Sequence, residues 1–139
     1  MKQESLTVAD CMSPARVTIP ATATVTEAVQ KLLKHKMLGS AVVDDQHNLV
    51  GYISEQDCLK HLITDSYFRE NTTLVSDIMR HDVLTMSGDM SVIDLAQIMT
   101  QDKPKKYPVT DHRKLIGEIT RTDVLAALLR LRVWHKETA

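Results

Sequence analysis

The chain has 139 residues, is 43% hydrophobic and 25% charged, and carries a formal net charge of −1. That length and balance suit an ordinary soluble globular protein with one core or two small halves. A charge so close to zero, with neither sign in blocks and only one Trp, three Tyr and one Phe, speaks against a nucleic-acid-binding face. No apolar run is long enough to span a bilayer, and Met1-Lys2-Gln3-Glu4-Ser5 has no signal-peptide core, so a cytoplasmic protein without membrane contact is expected.

Reactive residues are sparse. Cys11 and Cys58 form no CxxC pair and are expected as buried small hydrophobes. His35, His47, His61, His81, His112 and His135 lack the close spacing of a zinc site, so no metal is expected. Neither a glycine-rich phosphate loop nor any hydrolase motif is present, so the chain does not read as an enzyme.

In chain order, residues 1–7 read as a loose arm. Val8-Ala9-Asp10-Cys11-Met12 is a short helical turn, followed by an extended segment at Arg16–Ile19. Thr24-Val25-Thr26-Glu27 is a capping box that opens a helix with apolar positions Val25, Ala28, Val29, Leu32 and Leu33. Strands follow at Ser40–Asp44 and Leu49–Ile53, joined by a polar turn. The second strand runs into Gly51-Tyr52-Ile53-Ser54-Glu55-Gln56-Asp57, where a hydroxyl three places before a carboxylate marks a helix start.

The whole layout then returns. At an offset of 67, Val75-Ser76-Asp77-Ile78-Met79 repeats the leading turn, Val83–Met86 the extended segment and Ser91-Val92-Ile93-Asp94 the capping box. Val109 and Asp111 repeat Val42 and Asp44. One residue is lost in the second turn, so Gly117-Glu118-Ile119-Thr120-Arg121-Thr122-Asp123 repeats the first glycine motif at an offset of 66. Matches in one order with a single gap identify a duplication, each copy running β-α-β-β-α. Thr64–Thr73 is polar and aperiodic, which places the repeats at 8–64 and 75–130, a linker at 65–74 and a tail at 131–139. The closing helix, Val124–Trp134, is apolar around much of its circumference and needs a cover, from its own core or from a second copy.

A tandem unit of this length, each copy closing in Gly-x-Ile-Ser/Thr-x-x-Asp, resembles the cystathionine-beta-synthase (CBS) domain pair, or Bateman module. The resemblance covers roughly residues 8–130. It implies an α/β (α+β) fold of two repeats packed with pseudo-twofold symmetry, with two clefts that take an adenosine-containing ligand: AMP, ADP, ATP or S-adenosylmethionine. It also implies a regulatory role, frequent homodimers and a regulated protein partner that this sequence does not name.

Carried over residue by residue, the resemblance implies that Asp57 and Asp123 bind ribose with Ser54 and Thr120 close by. Gln56 and Thr122 would face ribose or phosphate, and Thr18 and Thr85 would offer backbone to adenine. Ile53, Ile119, Met37, Leu38 and Pro104 would form apolar walls. One cleft is expected to combine Thr18, Leu38, Thr120 and Asp123, the other Thr85, Lys105, Ser54 and Asp57. Lys103, Lys105, Lys106 and Arg121 cluster in the second repeat, where the first has Leu38 and Gly39 opposite Lys105 and Lys106, and Glu55 opposite Arg121. Phosphate is therefore expected at Asp123, with the Asp57 site weak, empty or adenosine-like. The alternative is a structural dimerisation or interaction domain with vestigial sites.

Overall fold

A computed structural model describes residues 6–65, 72–101 and 103–138. The chain divides into two compact units: one continuous, Arg16–Val83, and one built from two separate segments, Met1–Ala15 together with Leu84–Ala139. Most of the expected linker lies outside the described residues, as do the first five residues of the expected arm.

In the unit of residues 16–83, β1 (Ile19–Pro20) pairs in parallel with β2 (Gly39–Val43), which pairs antiparallel with β3 (Leu49–Ser54). The extended segment expected at Arg16–Ile19 contributes only its last residue to this ladder. Pro20 has no N–H to donate and is tolerated because β1 is an edge strand. Helix α2 (Val25–His35) opens on the expected capping box: Thr24 Oγ1 accepts from Glu27 N at 3.1 Å and Glu27 Oε1 accepts from Thr24 N at 2.8 Å. It buries Val25, Ala28 and Leu32 on Ile19, Val42, Ile53 and Cys58. Helix α3 (Glu55–Asp65) closes the repeat.

In the other unit, β4 (Met86–Ser87), β5 (Lys106–Asp111) and β6 (Lys114–Thr120) repeat the three-stranded sheet. Helix α5 (Val92–Met99) departs from expectation at its start. Ser91 Oγ accepts from Ile93 N at 3.2 Å, and the Asp94 side chain makes no return bond to the Ser91 backbone. Helix α6 (Arg121–Thr138) runs through the residues expected as a tail, because positions 131–138 contain neither Gly nor Pro to stop it. The Trp134 side chain, expected on its apolar face, lies outside the described burial.

The lost residue is visible in the two turns. Between β2 and β3, Asp44 Oδ1 accepts from Gln46 N and Asn48 N, both at 2.9 Å, folding a five-residue loop. Between β5 and β6, Asp111 pairs with Lys114 across a two-residue turn, His112 and Arg113, both with positive φ.

The leading turns do not pack as the sequence order implies. Helix α1 (Val8–Cys11) belongs to the second repeat's core: Val8 is fully buried beside Val92, Leu95, Val109 and Ile119. Val8 N donates to Met90 O and Ala9 N to Gly88 O, each at 2.8 Å. Helix α4 (Val75–Ile78) correspondingly buries Val75 in the first repeat's core, and Val75 N donates to Ala23 O at 2.8 Å.

Among the described residues, one side chain breaks the polar accounting. The Tyr107 hydroxyl is buried without a partner, whereas Ser40, its counterpart, donates to Val17 O at 3.3 Å. An unmet buried hydroxyl costs about 1–3 kcal/mol. Tyr107→Phe is therefore expected to keep or raise stability by up to about 1 kcal/mol in denaturant unfolding. A loss of that size would show that the hydroxyl has a partner.

Candidate functional site

Each repeat ends its last strand in a hydroxyl residue whose side chain caps the following helix. In the first, Asp57 N donates to Ser54 Oγ at 3.1 Å, while Ser54 N at 3.0 Å and Ser54 Oγ at 2.8 Å both donate to Asp57 Oδ2. In the second, Asp123 N donates to Thr120 Oγ1 at 3.0 Å and Thr120 N donates to Asp123 Oδ2 at 2.9 Å. The cap thus fixes each carboxylate by Oδ2 and leaves Oδ1 outside the cap.

The exchanged leading segment reaches that second oxygen. Ser13 and Glu118 share two backbone hydrogen bonds, at 2.9 and 2.8 Å, and Ser13 Oγ donates to Asp123 Oδ1 at 3.4 Å. Arg80 and Tyr52 share the same two backbone bonds, and Arg80 Nε lies 3.5 Å from Asp57 Oδ1. The motif glycines permit this crossing. A Cβ on Gly51 would lie 2.8 Å from Arg80 O, and one on Gly117 2.8 Å from Ser13 O.

Partial burial pushes the Asp57 carboxyl up, but the Ser54 hydrogen bonds and the Arg80 guanidinium together outweigh it and hold the group below its ordinary value. Burial pushes the Cys58 thiol up, with Asp57 and Glu55 adding to it. Burial also raises Cys11, against the opposing pull of Arg130. Neither thiol is activated. Among the described residues, no three His, Cys, Asp or Glu side chains are placed to hold a metal, and no helix is long and apolar enough to cross a membrane.

The other expected contacts are placed unevenly. Ile53 and Ile119, expected as apolar walls, are fully buried in their own cores, and period-two alternation turns Gly51 and Ile53 to the same inner face. Met37 is half-buried, while Leu38 and Pro104 are exposed, and the Leu38 carbonyl accepts from Glu55 N at 2.9 Å. Gln56, Thr122, Lys103, Lys105 and Arg121 are exposed, and Arg121 N donates to Lys105 O at 2.9 Å. Lys106 Nζ lies 3.6 Å from Glu118 Oε1 across the β5–β6 ladder, so its charge already has a partner. Thr18 and Thr85 stand just before β1 and β4. The Thr18 carbonyl accepts from Lys31 Nζ at 2.7 Å, and Ile98 occupies the position equivalent to Lys31 in the second repeat. Ser13 and Arg80 were not among the expected residues.

A profile of the CBS domain matches residues 8–64 and 75–130. The chain belongs to the CBS-domain family. Its two repeats are CBS repeats, and the mixed α/β architecture with two three-stranded sheets is that of CBS-pair proteins. The chain is 25% identical over 121 residues to the uncharacterized protein MJ1225 of Methanocaldococcus jannaschii, covering 87% of this chain but only 42% of that protein. It is 28% identical over 117 residues to the CBS domain-containing protein YhcV of Bacillus subtilis, covering 84% of this chain and 81% of YhcV. Among solved structures it superimposes with a TM-score of 0.74 on CBSX2 of Arabidopsis thaliana in complex with AMP, at 29% identity, covering 91% of this chain and 98% of that one.

Proposed function

We propose that the chain is a cytoplasmic, non-enzymatic sensor module that binds an adenosine-containing ligand and signals to a protein partner. The observation that carries this reading is the pair of capped aspartates, each held by Oδ2 with Oδ1 presented to one side. A carboxylate so fixed is a preorganised acceptor for a ribose diol. CBSX2, whose solved complex contains AMP, supports adenine nucleotide as the ligand class. Thiols raised by burial, and so poor nucleophiles, support binding rather than catalysis. In this reading Asp57 and Asp123 take ribose, Thr18 and Thr85 offer backbone to adenine, and Lys105 and Arg121 stand ready for phosphate. Signalling requires the ligand to prefer one arrangement of the module or its dimer over another.

Thermal unfolding against AMP, ADP, ATP, adenosine and S-adenosylmethionine tests it. A ligand present at about 100 times its dissociation constant adds about 2.7 kcal/mol. One ligand is expected to raise the midpoint by several degrees, and Asp123→Ala to remove most of that gain. No shift with any of them would overturn the sensor reading.

A second reading, a homodimerisation module with vestigial sites, is favoured by one feature. Val29, Leu32, Leu33, Cys58, Leu59 and Leu62 line an open groove of about 270 Å³ between α2 and α3, and Leu33 is 70% exposed. A dimer whose stability and shape ignore every nucleotide would favour that reading.

A further inference from the structure

The two repeats bring different side chains to the same point. Ser13 and Arg80 each come directly after the methionine that ends a leading turn, and each is clamped by two backbone hydrogen bonds to the residue after the motif glycine. Each then reaches Oδ1 of the motif aspartate, the oxygen that the helix cap leaves over. At Asp123 the visitor is a neutral hydroxyl. At Asp57 it is a guanidinium whose Nε also lies 3.5 Å from Oδ2, with a side chain 60% exposed against 13% for Asp57.

We infer that Arg80 is a specificity-determining residue that makes the Asp57 site select phosphorylated nucleosides over neutral ones. This rests on the reading of Asp57 as a ribose acceptor. A diol that donates to Asp57 Oδ1 competes with Arg80 for that oxygen and weakens the ion pair. A neutral nucleoside offers the guanidinium nothing in exchange. A nucleoside phosphate offers an anion, and a guanidinium can accept it with the fork of N–H groups that the carboxylate does not use. Among the described residues, the Arg80 guanidinium has no ion-pair partner besides Asp57. The site that looks cation-poor in its own repeat therefore receives its cation from the leading segment of the next.

The consequence is a pair of effects of opposite sign. In an Asp123→Ala background, which leaves Asp57 as the remaining motif carboxylate, AMP and adenosine are titrated by calorimetry. Arg80→Gln is expected to weaken AMP about tenfold and to leave adenosine unchanged or tighter, because the competitor for Oδ1 is gone. Arg80→Lys should restore part of the AMP preference and guards against a fold defect in the glutamine variant. The backbone pair with Tyr52 does not involve the side chain, so both variants keep it. An unchanged AMP-to-adenosine ratio, or equal losses for both ligands, would overturn the role of Arg80 while leaving ribose binding at Asp57 intact. If the Asp123→Ala chain binds neither ligand, the reading of Asp57 as a ribose acceptor fails, and the role of Arg80 with it.

Discussion

Alanine at position 51 is expected to destabilise the unit of residues 16–83 by about 3 kcal/mol, the upper end for overpacking a closed interior. Its Cβ would stand 2.8 Å from the Arg80 carbonyl oxygen and against the sulfur and Cγ of Met79. Met79 is buried, and the Arg80 backbone is clamped by Tyr52 through bonds of 2.9 and 2.8 Å, so neither neighbour yields without breaking something. The conformation of Gly51 is not the reason, since no glycine in the chain has positive φ. Gly117→Ala should behave alike against Met12 and Ser13. Gly88→Ala is the control: its Cβ meets only the side chains of Ala9 and Ile116 at 3.3 Å, and the cost should be small. Urea unfolding of the three variants measures this. Equal costs at positions 51 and 88 would refute the crossing as the reason for the motif glycine.

Removing residues 1–15 is expected to damage the second repeat rather than the first. The lost contacts are the fully buried Val8, which contributes about 1.5–3 kcal/mol, and several backbone hydrogen bonds at a net of about 1 kcal/mol each. The total is about 5 kcal/mol or more, comparable to the entire stability of a small domain. Residue-resolved amide exchange should show β5 and β6 losing protection while β2 and β3 retain more of theirs. The opposite order would return α1 to the first repeat. A fragment holding only residues 75–130 should fare no better, since it lacks α1 and carries α4 without the core that buries Val75.

The repeat itself was legible because each copy carries its own local signals. The Thr24–Glu27 box, the apolar spacing of α2 and the Ser54/Asp57 and Thr120/Asp123 caps are patterns within a few residues, and all of them formed. The destination of α1 and α4 was not legible. Four-residue helices such as Val8–Cys11 bury one residue each, and their periodicity says that Val8 is buried without saying in which core. The burial of Ile53 and Ile119 was legible too, since the alternation along β3 and β6 turns them inward. Ser13 and Arg80 were within reach: the offset that pairs Met12 with Met79 also pairs them, and the change from hydroxyl to guanidinium is plain in the sequence. What sequence spacing lacked was the backbone clamp that carries them to Oδ1.

The exchange of leading turns also sets an order of assembly during synthesis. Every residue of the 16–83 unit is contiguous, so its core closes once about that length has left the ribosome. The other unit needs segments far apart in the chain, joining Ser13 to Asp123 across 110 positions, and stays incomplete until the second of them has been made. Contacts of that separation form slowly because the loop must close before they reward it. Until then α1 carries an apolar face with no core of its own to cover it. In a concentrated cell, the face that waits longest for its partner within one chain is the face through which two nascent chains would swap their N-terminal arms.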